Sequence, residues 1–173
     1  MKILILSDSE IQSINQWISK MNQYKDIDQK KKVKNAKSHL QLKYEIIGKG
    51  QHRIVYDLQN GYVLKVAISE HGVTSNENEN KIYLNCPPYL RKYLCPVIEF
   101  GQGWIIMEKM VSKITKDEEY YENLSKLKNK FLMYEIDPKD MNSNNMALSK
   151  TGEIMIIDYG NFILKQGKSN LDN

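Results

Sequence analysis

Ile11, Ile14, Trp17, Ile18 and Met21 fall at helical spacing behind Ser7-Asp8-Ser9-Glu10, which has the form of a capping box. The pattern predicts an amphipathic helix from residue 8 to about 23. The basic stretch 30–37, KKKVKNAK, has no clear apolar face and reads as a solvated helix or linker. A patch for nucleic acid or an acidic partner is the alternative. Beyond residue 42 the apolar residues gather in short β-rich runs, at 44–47, 54–58 and 62–67. GKGQHR separates the first two runs, and Asn60-Gly61, a hairpin dipeptide, separates the next two. A helix is expected over 75–85, with Thr74 as cap and Glu77 three residues on, ended by Cys86-Pro87-Pro88. Strands at 96–100 and 104–107 flank Gly101-Gln102-Gly103. Thr115 and Glu118 form a second capping box before a helix to about 135, marked by Leu124, Leu127, Phe131 and Tyr134.

The last apolar run, Ile154-Met155-Ile156-Ile157, pairs with 146–148 as a hairpin around Thr151-Gly152 and stops at Asp158. A buried strand that delivers a carboxylate to a core boundary needs something to neutralise it. Taken alone, the same residues also fit a strand running into an ordinary turn.

Composition narrows the setting. At 173 residues, with 41% hydrophobic and 27% charged positions, the chain has the makings of one packed domain. The net charge of +4 is almost wholly lysine on its positive side, the exceptions being Arg53 and Arg91. Lysine is a poor reader of bases or phosphates in bidentate geometry, so much of this charge is expected to be solvated surface. The bias toward Lys, Asn and Ile points to an AT-rich genome, such as that of a low-GC bacterium or its phage. Cys86 and Cys95 offer neither a disulfide framework nor a metal spacing, which fits a reducing cytoplasm. MKILIL is too short for a signal peptide, and no stretch approaches a membrane span.

The order of three strands, a helix, two strands, a helix, a loop and a hairpin resembles the protein-kinase-like fold, and the chemistry-bearing residues follow it. Gly48-Lys49-Gly50-Gln51-His52-Arg53-Ile54-Val55 is similar to the glycine-rich loop that covers a nucleotide, with Arg53 in place of the third glycine. The resemblance implies that Gly48, Gly50 and Val55 approach the nucleotide. It leaves Arg53 either touching phosphate or stiffening the loop. Val63-Leu64-Lys65 resembles the strand-three lysine motif, which implies that Lys65 meets the α/β-phosphates and an acidic residue of the following helix. An edge-strand lysine reaching solvent is the bland alternative. Glu79 is the expected partner, because it shares a face with Ile82 and Tyr83 whereas Glu77 lies on the wet face with Lys81. Ile105-Ile106-Met107-Glu108-Lys109-Met110 resembles the hinge, with Met107 as gatekeeper and the backbones of Glu108 and Met110 pairing with adenine.

Asp140 and Asn145 reproduce the spacing of the catalytic-loop aspartate and asparagine, and Asp158-Tyr159-Gly160 that of the metal-binding triplet. The resemblance implies Asp140 as catalytic base, Lys65 and Glu79 as its catalytic companions, and Asn145 and Asp158 as Mg²⁺ ligands. Without it, Asp140 and Asn145 would read as turn residues.

The fold class expected is α+β: a kinase-like N-lobe with a five-stranded antiparallel sheet and one helix, then a strongly reduced C-lobe. The divisions are a helical, basic extension over 1–41 and a minimal kinase-like domain over 42–173, its lobes meeting near 110. Thirteen residues follow Gly160, too few for an activation segment or substrate-docking helices, and Lys139 replaces the usual arginine before Asp140. The resemblance implies an ATP- and Mg²⁺-dependent phosphotransferase acting on a hydroxyl of a protein or small molecule. The rival reading is a pseudokinase-like module that regulates a protein partner. Nucleic-acid binding through 30–37 is a third, disfavoured by the scarcity of Arg and aromatic residues there. A homo-oligomer is compatible with either leading reading.

Overall fold

In the computed structural model, which describes residues 5–110 and 114–165, Ser7 caps a helix over Asp8–Lys20 (α1) with the expected capping box: its backbone N–H donates to Glu10 Oε2 at 2.8 Å. A 3₁₀ turn over Met21–Tyr24 leads to α2 (Gln29–Leu40). Here the sequence reading is corrected, because α2 has an apolar face. Val33, Ala36 and Leu40 recur at helical spacing and are buried, while Lys30, Lys31, Lys34 and Lys37 remain exposed.

Five antiparallel strands follow: β1 (Glu45–Lys49), β2 (Arg53–Asp57), β3 (Tyr62–Ala67), then, after α3 (Glu70–Asn85), β4 (Val97–Gly101) and β5 (Trp104–Glu108). Their order across the sheet is β1-β2-β3-β5-β4. The register sorts the side chains by face. Tyr56, Leu64 and Ile106 are cross-strand partners, as are Ile54, Val66 and Trp104. All six join Ile14, Trp17, Met21, Val33 and Leu40 of the helical segment in one core. Trp17 Nε1–H donates to the Ala67 carbonyl at 2.8 Å, so the largest buried side chain is also satisfied. The strands α1 and α2 cover therefore present their alternate residues, Val55, Lys65 and Ile105, on the opposite face. These elements, from the start of the chain to Asn80 with Pro96–Lys109, form one unit.

Helix α3 begins earlier than the sequence predicts. Thr74 is not its cap. Its Oγ1 donates to the Glu70 carbonyl within the helix, and Ser69 Oγ accepts from the Gly72 N–H at 3.3 Å instead. The start is hidden by Gly72, a poor helix former that is needed because a Cβ there would collide with the His52 carbonyl.

The second unit comprises Lys81–Cys95 and the chain from Met110 onward. It holds α4 (Pro88–Arg91), α5 (Glu118–Met133) and two small sheets, β6 (Ile136–Asp137) with β9 (Ile163–Leu164), and β7 (Met146–Leu148) with β8 (Ile154–Ile156). Asp117, not Thr115, caps α5, accepting from the Tyr120 N–H at 2.8 Å. Its core is aromatic: Phe131 meets Phe162 edge-on at 5.5 Å, and Tyr159 lies 6.1 Å from Phe162. Strand β8 is stitched to 93–95 through Ile156 N–H to Tyr93 O and Cys95 N–H to Ile156 O. The last residues of the expected reduced lobe, 166–173, lie outside the described residues. Among the described residues no helix is long and apolar enough to cross a membrane.

Candidate functional site

Lys65 sits mid-strand on β3 with its side chain 7% exposed, opposite Val55 on one side and Ile105 on the other. Its ammonium lies 2.9 Å from Glu79 Oε1. Glu79 has no exposed surface, and its second oxygen accepts from Arg53 at 2.7 Å. Asn76 Oδ1, one turn earlier on α3, takes a further bond from Arg53 at 3.0 Å. Arg53, Lys65 and Glu79 are thus brought together by adjacent strands and one helix. Glu77, the candidate set aside, is exposed. Charge-assisted bonds of this length fix a flexible lysine in an extended pose.

The glycine-rich loop is anchored on several sides. Gly48 stands opposite Val55, and a Cβ there would press within 3.2 Å of the valine side chain. Gly50 N–H bonds the Arg53 carbonyl at 3.0 Å, and the Gln29 side chain donates to the Gly50 carbonyl. His52 O accepts from Ile68 N–H at 2.8 Å, and His52 Nδ1 meets Ser69 Oγ at 3.0 Å. The Arg53 guanidinium is turned onto α3, where it bonds Asn76 and Glu79.

At the expected hinge Met107 is buried, Glu108 N–H bonds the Pro96 carbonyl, and Lys109 N–H bonds the Gly61 carbonyl. Lys109 Nζ lies 2.6 Å from Asp57 Oδ2. That hydrogen bond, with one from the Gln59 N–H, holds the Asp57 carboxyl below its ordinary range. Met110, the other expected adenine partner, is partly buried.

In the second unit the catalytic-loop candidates form a compact knot. Asp140 has φ 57°, a left-handed conformation that aspartate tolerates and that clusters at working sites. Its carbonyl accepts from Asn145 Nδ2 at 2.9 Å and from Asn142 Nδ2 at 3.0 Å. Its exposed carboxylate accepts from Asn161 Nδ2. The Asn145 carbonyl in turn receives the N–H groups of Ile157, at 2.8 Å, and Asp158, at 3.3 Å. Asn145 and the end of the strand bearing Asp158 are therefore locked together. Tyr159 is fully buried, its hydroxyl donating to the Cys95 carbonyl at 2.8 Å, which explains how a tyrosine is accommodated there.

The donor set fits a hard divalent cation. Asn145 Nδ2 is turned to the Asp140 carbonyl, so the amide offers its oxygen, the donor type that hard divalent cations take, as does an aspartate such as Asp158. The cysteines contribute nothing of this kind: both are buried, and burial pushes the Cys86 thiol up to about 11. Sequence reading missed Asn76 and Asn161, since a lone amide leaves no periodic signal. Adjacency of Asn161 to Asp158-Tyr159-Gly160 was the only available hint.

No protein-family model matches the chain, and no curated protein sequence matches it. Solved structures do. A medium-resolution structure of the bifunctional kinase-methyltransferase WbdD superposes with a TM-score of 0.52 at 16% identity, covering 67% of this chain and 31% of that one. A co-crystal structure of WbdD with a kinase inhibitor gives 0.55 at 17% identity, covering 70% and 33%. The high-resolution WbdD structure gives 0.54 at 17%, covering 66% and 31%. The chain spans about a third of the length of these proteins. The fold is α+β and kinase-like, with the five-stranded antiparallel sheet expected of the N-lobe.

Proposed function

We propose that the chain is an ATP- and Mg²⁺-dependent phosphotransferase whose acceptor is a hydroxyl of a protein or small molecule. The observation that carries this reading is the buried Lys65–Glu79 pair, at 2.9 Å on a sheet of kinase-like topology. A lysine fixed by a helix carboxylate meets the α/β-phosphates of a nucleotide without first losing conformational freedom. Gly48, Gly50 and Val55 line the nucleotide's path, Arg53 holds their loop to α3, and the backbones of Glu108 and Met110 pair with adenine. Asp140 orients the acceptor hydroxyl and takes its proton, its carboxylate steadied by Asn161. Asn145 and Asp158 hold Mg²⁺, which when bound neutralises charge on the phosphates.

The test is incubation of the purified chain with γ-labelled ATP, Mg²⁺ and cell lysate or candidate small-molecule hydroxyls. Label transferred to a discrete species by the wild type, and not by Lys65→Ala, supports the assignment. Absence of label, with nucleotide-independent capture of one protein, would instead establish the pseudokinase-like reading.

A further inference from the structure

A cleft of about 430 Å³ opens in the first unit between the 3₁₀ turn after α1, the start of α2, the tip of the glycine-rich loop and the start of α3. Neither Lys65 nor Glu79 lines it. Its floor is apolar, formed by Met21, Ile27 and Ile68, and its walls carry Lys25, Lys32, His52 and His71. A volume of this order can admit a small molecule.

The polar groups of the lining contact one another and the backbone around it. Lys32 Nζ donates to the Lys25 carbonyl at 3.2 Å, which draws one ammonium toward the backbone that carries the other. The His52 and His71 rings stand 4.4 Å apart, with His52 Nδ1 on Ser69 Oγ. The one carboxylate in the lining, Glu70, accepts from Asn22 Nδ2 at 2.6 Å. Cationic and potentially cationic groups from three separate segments thus face a common space. Burial, then the nearby His71, Lys32 and Arg53, keep His52 below its ordinary value.

We propose that this cleft is a second binding site, distinct from the proposed nucleotide site, for a small molecule carrying a phosphate or pyrophosphate group. The oxyanion sits between the two lysines and the two imidazoles, while the apolar floor receives the remainder of the ligand. Binding there bears on the loop tip and on the first turn of α3, the segments that carry Arg53 and Glu79 into their ion pair.

The chain has three histidines, and the third supplies an internal control. His39 packs on Trp17 and Tyr24, at 5.6 and 5.7 Å, and does not line the cleft. Inorganic pyrophosphate is titrated without Mg²⁺ at constant ionic strength while the imidazole proton resonances are followed by NMR. Two histidine signals should shift saturably, with the His39 signal unmoved. The Lys25→Gln/Lys32→Gln double variant, which alters one exposed and one partly buried residue, should weaken the apparent affinity by about tenfold or more. Lys65→Met should leave the shifts in place. The proposal fails if no histidine responds, if all three move together, or if the response survives in the double lysine variant. It fails equally if Lys65→Met abolishes the response.

Discussion

Glu79 has no exposed surface and bonds two cationic side chains, and that combination sets the effect of removing it. Truncating one member of a buried ion pair leaves desolvated charge behind, at a cost of about 3–5 kcal/mol. Glu79→Ala should therefore lower the unfolding free energy in urea by that order. Glu77→Ala, two residues away on the exposed face, should stay within about 0.5 kcal/mol of wild type. Asp140 calls for a different expectation. Its proposed role is chemical and its backbone is left-handed, so asparagine, which tolerates the same conformation, should keep the fold. Asp140→Asn should retain Mg·ATP binding and the wild-type urea midpoint while phosphate transfer falls by about 10²–10⁴. Undiminished transfer by a folded Asp140→Asn protein would sink the catalytic role. Single residues were legible in the sequence where pattern and chemistry coincided. Lys65 stood among apolar neighbours, and Glu79 shared a helix face with Ile82. The Asn76 and Glu79 partners of Arg53 were not legible, because the turn of its guanidinium onto them depends on where α3 packs.

Elements were legible in proportion to their periodicity. The five strands and α1 came through because their apolar residues alternate or recur without interruption. In α2 the buried face rests on one valine, one alanine and one leucine among lysines, too faint a stripe to read. In α3 three buried residues, Ser75, Asn76 and Glu79, are polar beside the buried Ile82, and Gly72 breaks the propensity of the first turn. Its true start is set by a tertiary contact with the loop through His52, and that contact has a pH signature. Burial, followed by His71, Lys32 and Arg53, lowers the His52 pKa in the fold. Below about 6.5 the unfolded chain binds a proton that folded His52 resists. This contribution to stability is thus present above about 6.5 and is lost as pH falls through the folded pKa. Urea midpoints measured from neutral to mildly acidic pH should decline, and His52→Gln should flatten part of that decline. An unchanged pH slope in His52→Gln would show that the ring does not titrate in this environment.

At the scale of the whole molecule, fold and chemistry are carried by different evidence. The topology was readable from element order alone, whereas structures only 16–17% identical share it. Such similarity fixes the path of the chain and leaves the ligand to the side chains. The decisive question is whether residues from both units serve one nucleotide, and thermal unfolding answers it without knowledge of the acceptor. A ligand at about 100 times its dissociation constant stabilises the native state by about 2.7 kcal/mol. For a chain of this size each kcal/mol moves the midpoint by about 2–4 °C, so saturating Mg·ATP should raise it by about 5–10 °C. Lys65→Ala, in the first unit, should abolish the shift by removing the proposed phosphate contact. Asp158→Ala, in the second, should abolish it by removing a proposed metal ligand, and EDTA should mimic that loss in the wild type. Asp140→Asn should keep the full shift, since in the proposed mechanism its carboxylate addresses the acceptor rather than the nucleotide. If millimolar Mg·ATP leaves the wild-type midpoint unmoved, the nucleotide site is wrong. If Lys65→Ala loses the shift while Asp158→Ala keeps it, nucleotide binding belongs to the first unit alone and the phosphotransferase assignment falls with Asp158.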